Sequence, residues 1–431
     1  MIRLSRLILA FQYKKLPFSN FSSHRFKMST AHKTDEEKKE HFDTPEELDQ
    51  KVEILAKLIK ESKHFIAFTG AGISTSAGVP DFRSGINTVL PTGPGAWERI
   101  ATGTNKKAQI RKNTTSAIPT PTHMALIKLH EAGYLKFLIS QNTDGLHRRS
   151  GFPLSELAEL HGNSNLEICR NKKCKKQYLR DFRVRTSQKV HDHETRRKCE
   201  NCGQELYDTI INFGENLPEK ELENGFIHGK KVDLCLALGS SLRVTPAADM
   251  PRATVKNKGN LVIVNLQATP LDHVGLRING FIDDVMIKLM AKLNLEIPKF
   301  ILKRRLVIKK IYDKSGLFDV GKPTGLYIRG VDEFGESYQL FKAISVKFNQ
   351  SEEVITSTKH EPFYIIPLKS SLHEGSISIK LTFQGHYNEP DFNFDIPLEF
   401  SGVDEPLYYL LEFDPQIGKW ISCKPFEVEK S

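Results

Sequence analysis

The sequence predicts an α/β fold: a parallel sheet covered by helices on both faces, a small metal-binding module inserted into it, and an antiparallel β domain after it. Three observations predict this. Short, near-continuously apolar runs alternate with stretches of helical period, the mark of strands buried on both faces. Two cysteine pairs interrupt that alternation between about 165 and 206. From about residue 300 the helical period disappears, and β-rich runs between Gly, Asn, Asp and Pro replace it. A chain of 431 residues has room for two or three such units.

Thr44-Pro45-Glu46-Glu47 reads as a helix start, with a capping hydroxyl, proline in the first turn and early acids. Leu48, Val52, Leu55, Leu58 and Ile59 then recur at helical spacing. His64–Phe68 is an apolar strand running into Thr69-Gly70-Ala71-Gly72, and the turn is expected to open a helix. A second helix begins at Pro121. Phe137–Ser140 is a strand that ends at Gln141-Asn142-Thr143-Asp144. Leu234–Leu238 and Leu261–Val264 are two more, ending at Gly239-Ser240-Ser241 and Asn265-Leu266-Gln267. Phe281–Leu293 is a helix. Leu326–Arg329, Phe363–Ile366, Ile377–Phe383 and Leu407–Phe413 are strands of the last region. Three units follow: a basic then acidic tail over 1–45, expected to be disordered; an α/β domain over 46–299; and an all-β accessory domain over 300–431. The polar motifs all sit just past strand C-termini, where open α/β sheets bind ligands.

Composition is that of a globular protein, 39% hydrophobic and 26% charged, with no apolar run long enough to span a membrane. The net charge of +10 favours acidic partners and is equally the charge of an ordinary solvated surface. Six cysteines do not make a disulfide scaffold, and their paired spacing suits metal binding in a reducing compartment. Residues 1–34 contain no acid but carry Arg3, Arg6, Lys14, Lys15, Arg25, Lys27 and Lys33. That composition fits a mitochondrial presequence. The preferred reading is a disordered basic tail, or an extension upstream of a start at Met28.

Glycines at 70 and 72 after a strand let backbone approach a phosphate. The dinucleotide fingerprint would need glycine where Thr75 stands and an acid some twenty residues on, so a hydride-transferring dehydrogenase is disfavoured; a plain tight turn remains open. Cys169-x4-Cys174 and Cys199-x2-Cys202 supply four thiolates for a tetrahedral zinc whose filled shell makes it structural. His191 and His193, inside the intervening loop, are competing ligands, with the all-cysteine set preferred. Residues 170–198 hold twelve Lys or Arg against three acids, a stretch that either meets nucleic-acid phosphate or stays solvated. His161, followed by Gly162, is a candidate for proton transfer near neutral pH.

Together these residues resemble the sirtuin family of NAD-dependent protein-lysine deacylases. The matching runs are Gly70–Thr75, Gly78–Arg83, Gln141–Asp144, Leu160–Asn163, the cysteine pairs, Gly239–Ser241 and Val264–Gln267. Leu206–Ile211, Phe213-Gly-Glu, Ile263–Gln267 and Leu295-Glu-Ile-Pro look most like the nuclear, chromatin-associated class IV branch. The resemblance covers about 46–299 and implies a Rossmann-like sheet. It implies that Gly70, Ala71, Gly72, Thr75, Asp81, Phe82 and Arg83 line the pyrophosphate and nicotinamide-ribose region. Gln141 and Asn142 would position the ribose and a water, and Asp144 would meet the nicotinamide carboxamide. Gly239, Ser241, Asn265 and Gln267 would hold the adenosine half, with Val285 packing on the adenine. His161 would be the general base that activates a ribose hydroxyl after nicotinamide leaves.

One departure stands out. Thirteen residues separate Arg83 from Trp97, where the class IV branch has a shorter link, so Trp97 is left unassigned. The function implied is removal of acyl groups from lysine with consumption of NAD as co-substrate, acting on acyl-lysine proteins such as histones. Mono-ADP-ribosyl transfer at the same site is an alternative, as is a chromatin-binding scaffold with little catalysis. A peptide would bind extended between Asn212–Pro218 and Leu242–Pro246. DNA or nucleosome contact through the basic zinc loop, no membrane partner, and a nuclear location, with the mitochondrion as alternative, complete the expectations.

Overall fold

A computed structural model of the chain describes residues 35–103, 116–187, 189–312, 323–332, 335, 337–348, 354–358, 361–365, 376–397 and 405–427. The basic segment 1–34 lies outside them. Six parallel strands form the central sheet, in the order Leu276–Ile278, Asn260–Val264, Leu234–Leu238, Phe65–Thr69, Leu135–Ser140, Leu157–Glu159. Chain order runs outward in one direction from Phe65–Thr69 and then reverses to fill the other side. That is a doubly wound sheet, and its switch point lies between Phe65–Thr69 and Leu234–Leu238. Both central strands are wholly buried, which explains why their sequences are apolar without alternation.

On one face, the helix Pro45–Glu61 buries Val52, Leu55, Ala56 and Ile59 and packs against Ile282–Lys292, which packs in turn against Pro121–Glu131. Thr44 caps the first helix through a reciprocal box with Glu47. On the other face Glu219–Lys231 crosses Asp249–Lys256. Gly225 makes that crossing possible, since a Cβ there would lie 2.7 Å from the Met250 methyl. Neither of these two helices was legible in the sequence. The first has a Gly at 225 and another at 229, and the second is only two turns long.

The tail differs from expectation. Residues 35–44 are folded onto the domain: the His41 amide donates to the Leu266 carbonyl, and Asp43 holds Lys51 at 2.6 Å and Asn279 at 2.8 Å. These polar contacts outweigh the charged composition that suggested disorder.

The inserted module is a four-stranded antiparallel sheet, ordered Gln177–Leu179, Leu166–Cys169, Glu205–Asp208, Glu194–Lys198. Past residue 300, two antiparallel sheets of five and four strands close over one apolar core. Four of that region's residues, Phe300, Leu302, Tyr387 and Phe413, belong instead to the main core beside Leu126 and Leu129. The β region is thus packed onto the α/β domain through shared apolar surface.

The turn after Phe65–Thr69 is not followed by an α-helix. Ala71–Ser74 makes a single 3-10 turn. Gly70 and Gly72 lie against Gly239, which ends Leu234–Leu238 in left-handed conformation, φ 60°. The Gly72 amide donates to the Gly239 carbonyl at 3.0 Å. A Cβ on Gly70 would come within 2.6 Å of that carbonyl oxygen, and one on Gly239 within 2.6 Å of the Gly72 Cα. Gly239→Ala therefore meets both a clash and an unfavourable φ, and is expected to cost about 1–3 kcal/mol in a urea titration; unchanged stability would show that the two turns have room to part.

Candidate active site

A cleft of about 640 Å³ opens at the switch point. The glycine turns form its floor. Of the sixteen residues proposed from sequence for catalysis and NAD, fourteen line it: Gly70, Ala71, Gly72, Thr75, Asp81, Phe82, Arg83, Gln141, Asn142, His161, Gly239, Ser241, Asn265 and Gln267. Two do not. Val285 is fully buried in the core on the inner face of Ile282–Lys292, because the helical period that makes it apolar also turns it inward. Gly280, Phe281 and Ile282 form that wall instead. Asp144 sits behind the wall, and its carboxylate accepts from Ser74 Oγ at 2.7 Å and the Leu146 amide at 2.9 Å. Thr143 is the lining residue there.

Each polar group on the floor is held by a neighbouring strand end. The Gln141 amide donates to the Thr69 carbonyl, and its side chain donates to Ser240 Oγ at 3.0 Å. Asn142 donates from Nδ2 to the Gly70 carbonyl at 3.0 Å. The carbonyl of Gln141 accepts from His161 Nδ1 at 2.9 Å. Since a carbonyl cannot donate, Nδ1 carries the proton and Nε2 is left as the basic nitrogen. Burial lowers the His161 pKa below its ordinary 6.5, against the raising influence of that carbonyl. The ring is therefore largely neutral at pH 7, the state a general base needs.

Arg83 brings the positive charge. Its guanidinium lies 4.5 Å from the Trp97 ring centre. Burial, and then Arg243, lower its pKa to about 10, so it stays cationic at neutral pH. Among the described residues no carboxylate reaches ion-pair distance of it. Asp81 is shifted the other way, raised by burial, while Ser84 steadies its charged form.

Trp97 belongs to the cleft wall, which the long link to Arg83 had obscured. The link closes on itself: the Gly95 amide donates to the Ser84 carbonyl, Ala96 to Asp81 and Trp97 to Phe82. A Cβ on Gly95 would fall 2.4 Å from the Arg83 amide nitrogen. Trp97 thereby stands 5.2 Å from Phe82 and 5.9 Å from Phe213, a row of three rings on the wall. Phe213, from the segment proposed for peptide, lines the cleft, and Glu40 is a further lining residue missed in the sequence. Glu40 pins the link by accepting from Thr88 Oγ1 at 2.6 Å and the Val89 amide at 2.9 Å; no local signal couples residues so far apart. The segments proposed for peptide, 212–218 and 242–246, both contribute lining residues, among them Asn212, Gly214, Val244 and Pro246.

The four cysteine sulfurs lie within 4.8 Å of one another. Cys169 and Cys202 are 3.4 Å apart, Cys174 and Cys199 3.6 Å. Zinc–sulfur bonds of about 2.3 Å at tetrahedral angles put the sulfurs about 3.8 Å apart, so the donor set fits zinc and fills its shell. Tyr178 Oη at 3.2 Å from Cys199 and Asn201 Nδ2 at 3.3 Å from Cys174 supply hydrogen bonds to thiolates. His191 and His193 are engaged elsewhere: His193 bridges Asp208 and Glu215, each at 2.9 Å, and His191 pairs with Glu215. Part of the basic stretch is structural too, since Arg180 and Arg197 clamp the buried Glu167 at 2.8 and 2.7 Å. Lys172, Lys173, Lys175, Arg183, Lys189, Arg196 and Lys198 remain exposed.

The Sir2 family model matches residues 70–246. The NAD-dependent protein deacetylase SRT1 of Oryza sativa is 47% identical over 265 residues, 61% of this chain and 52% of its own length. This chain thus spans about half of that relative. SRT1 of Arabidopsis thaliana is 38% identical over 370 residues, covering 84% of this chain and 74% of its own. That match is longer than residues 1–299 can hold, so it runs well into the β region. The NAD-dependent protein deacetylase Sirt6 of Drosophila melanogaster is 40% identical over 61% of this chain and 81% of its own. A solved structure described as Sir2 with p53 peptide and NAD+ is 31% identical and overlaps 56% of this chain and 98% of its own, with a TM-score of 0.42.

Structural zinc contributes about 10–16 kcal/mol, comparable to the whole stability of a domain. Cys199→Ser is expected to take zinc content from near one per chain to near zero. It should also open the segment 166–208 to limited proteolysis. Retention of full metal by the variant in elemental analysis would sink the four-thiolate assignment.

Proposed function

This chain belongs to the Sir2 family, and on that premise we propose that it is an NAD-dependent protein-lysine deacylase. One observation supports the reading above the others. The neutral, Nε2-basic His161 shares a single cleft with a glycine floor that admits no Cβ and with the Arg83 cation, which Glu37 and Asp81 favour from beyond ion-pair distance. A base, a close backbone approach and a positive charge suit a pyrophosphate-bearing co-substrate whose ribose must lose a proton.

NAD, when bound, supplies an electrophilic ribose carbon once nicotinamide leaves. Every other task falls to the protein. The Ala71 amide and the Arg83 guanidinium receive the pyrophosphate. Asn265 and Gln267, at the end of Asn260–Val264, hold the adenosine end. Gln141 and Asn142 fix the nicotinamide ribose, with Asp144 bracing their loop from behind. His161 accepts a ribose hydroxyl proton at Nε2 while the Gln141 carbonyl holds Nδ1–H. The Phe82–Trp97–Phe213 row shields the cleft from water, and an acyl-lysine peptide lies extended between 212–218 and 242–246, where backbone pairing carries affinity with little sequence selectivity. The zinc has a closed shell and acts as a scaffold.

Histone or other chromatin substrates, and a nuclear location, extend this reading. The exposed cations of the zinc module support them, because a surface of that charge is attracted to nucleosomal phosphate. The β region serves as an accessory domain.

Two outcomes are expected. His161→Ala should lower acyl-lysine-dependent nicotinamide release by about 10²–10⁴-fold while zinc content and Tm hold. In the wild type, kcat/KM should fall as pH drops through a midpoint below 6.5, since protonating His161 removes the base and burial has lowered its pKa. A midpoint above 7, or release that ignores the acyl peptide, would count against the deacylase. For the compartment, chains starting at Met1 and at Met28 and tagged at the C-terminus should both be nuclear; mitochondrial signal confined to the longer one overturns that location.

A further inference from the structure

Three features stand outside the cleft. The carboxyl of Glu361 accepts from three backbone amides inside the β region and serves that fold alone. The stacked His228 and Phe137 rings, with His64 beside them, do not line the cleft. The third feature reaches the cleft.

It begins at Asp181 of the zinc module, which accepts from Tyr338 Oη at 2.9 Å and pairs with Arg304 at 2.6 Å. Arg304 donates from Nε to Glu389 at 3.0 Å, and Glu389 receives the Tyr387 amide at 3.0 Å. The Tyr387 ring lies under the Arg304 guanidinium and near Phe300. Its hydroxyl accepts from Arg149 Nη1 at 3.0 Å. The same guanidinium donates to the Ala117 carbonyl and, through Nη2, to the Asp144 carbonyl. Asp181, Arg304, Tyr387, Glu389 and Asp144 are all less than a tenth exposed. Buried charge of this kind keeps one geometry, because displacing any partner strands another.

The end of this chain is the loop that matters. Residues 141–143 line the cleft, and Asp144 closes the loop through Ser74 and Leu146. Arg149 is the strut beneath it, and one of the strut's hydrogen-bond acceptors comes from the β region, some 240 residues on. We propose that Tyr387 is a positioning residue for the NAD site, and that the β region acts through it to hold the 141–149 loop in its binding geometry. The inference rests on the NAD reading above. It gives the accessory domain a task that neither its own strands nor the zinc module supplies.

Tyr387→Phe isolates the contact, since the ring keeps its packing and only the hydroxyl goes. In the full-length, zinc-loaded chain, the Kd for NAD by calorimetry and the KM for NAD should both rise about three- to tenfold, the scale of one ordinary hydrogen bond. The KM for acyl peptide should stay as in the wild type, and Tm should fall little. Arg149→Lys, which cannot span both carbonyl and hydroxyl, should shift the same two constants, and the double variant should be no worse than Arg149→Lys alone. Unchanged NAD affinity in Tyr387→Phe overturns the proposal. So does a parallel rise in the NAD and peptide constants with a large fall in Tm, which would mark the tyrosine as merely structural. A wild-type chain that binds NAD yet releases no nicotinamide fails the deacylase reading alone, because the calorimetric arm does not depend on turnover.

Discussion

The architecture turns on one backbone contact. Two strand ends, at Gly70–Gly72 and at Gly239, touch main chain to main chain where the sheet reverses its winding. Nothing larger than hydrogen fits between them. This contact fixes the floor of the cleft, and it accounts for the single 3-10 turn that replaces the expected helix. Chain that must stay against a neighbouring loop cannot rise at once into an α-helix. It also explains why the dinucleotide fingerprint is only half present. Gly70 and Gly72 answer to Gly239, whereas Thr75 turns its hydroxyl to the Gly72 carbonyl at 3.0 Å and has no such neighbour.

Other strand ends then add groups to a floor already set. Gln141 and Asn142 are tied to Thr69 and Gly70, and His161 to Gln141. The basicity of His161 is a second-order result of this order of assembly. A carbonyl in the right place selects the tautomer, and burial beside it keeps the ring neutral. The zinc module takes part from the other side. His193 and Glu215, anchored through Asp208, hold Asn212, and Asn212 leads into the wall residue Phe213. A metal with no open position thus still shapes the cleft, through the loop its module anchors.

The sequence carried most of this site because its residues cluster at strand ends, where motif and topology coincide. Apolar runs located the central strands to within a few residues, and the cysteine spacing located the metal donors. Three kinds of residue escaped. Val285 has the right neighbourhood in sequence but the wrong helical phase, and phase against a ligand cannot be read without the partner surface. Trp97 was hidden by a link whose closure depends on the tertiary contacts of Gly95 and Glu40. Tyr387 lies in a region with no motif at all, and only the docking of two separate sheets brings it to Arg149. The helices at 219 and 249 were missed for a simpler reason: glycine and brevity blunt the periodic signal on which such a reading relies.

The link between Arg83 and Trp97 has an evolutionary corollary. Its two ends are stapled by the Gly95–Ser84 and Ala96–Asp81 hydrogen bonds, so what lies between is a hernia on the molecular surface. Lengthening such a closed loop costs only about 0.6 kcal/mol per doubling. Selection can therefore lengthen, shorten or rewrite residues 90–94, beyond the Glu40 contacts at Thr88 and Val89, while the aromatic wall stays where it is. That stretch is a natural grafting point, a place where lineages can vary the rim of the cleft without retuning its floor.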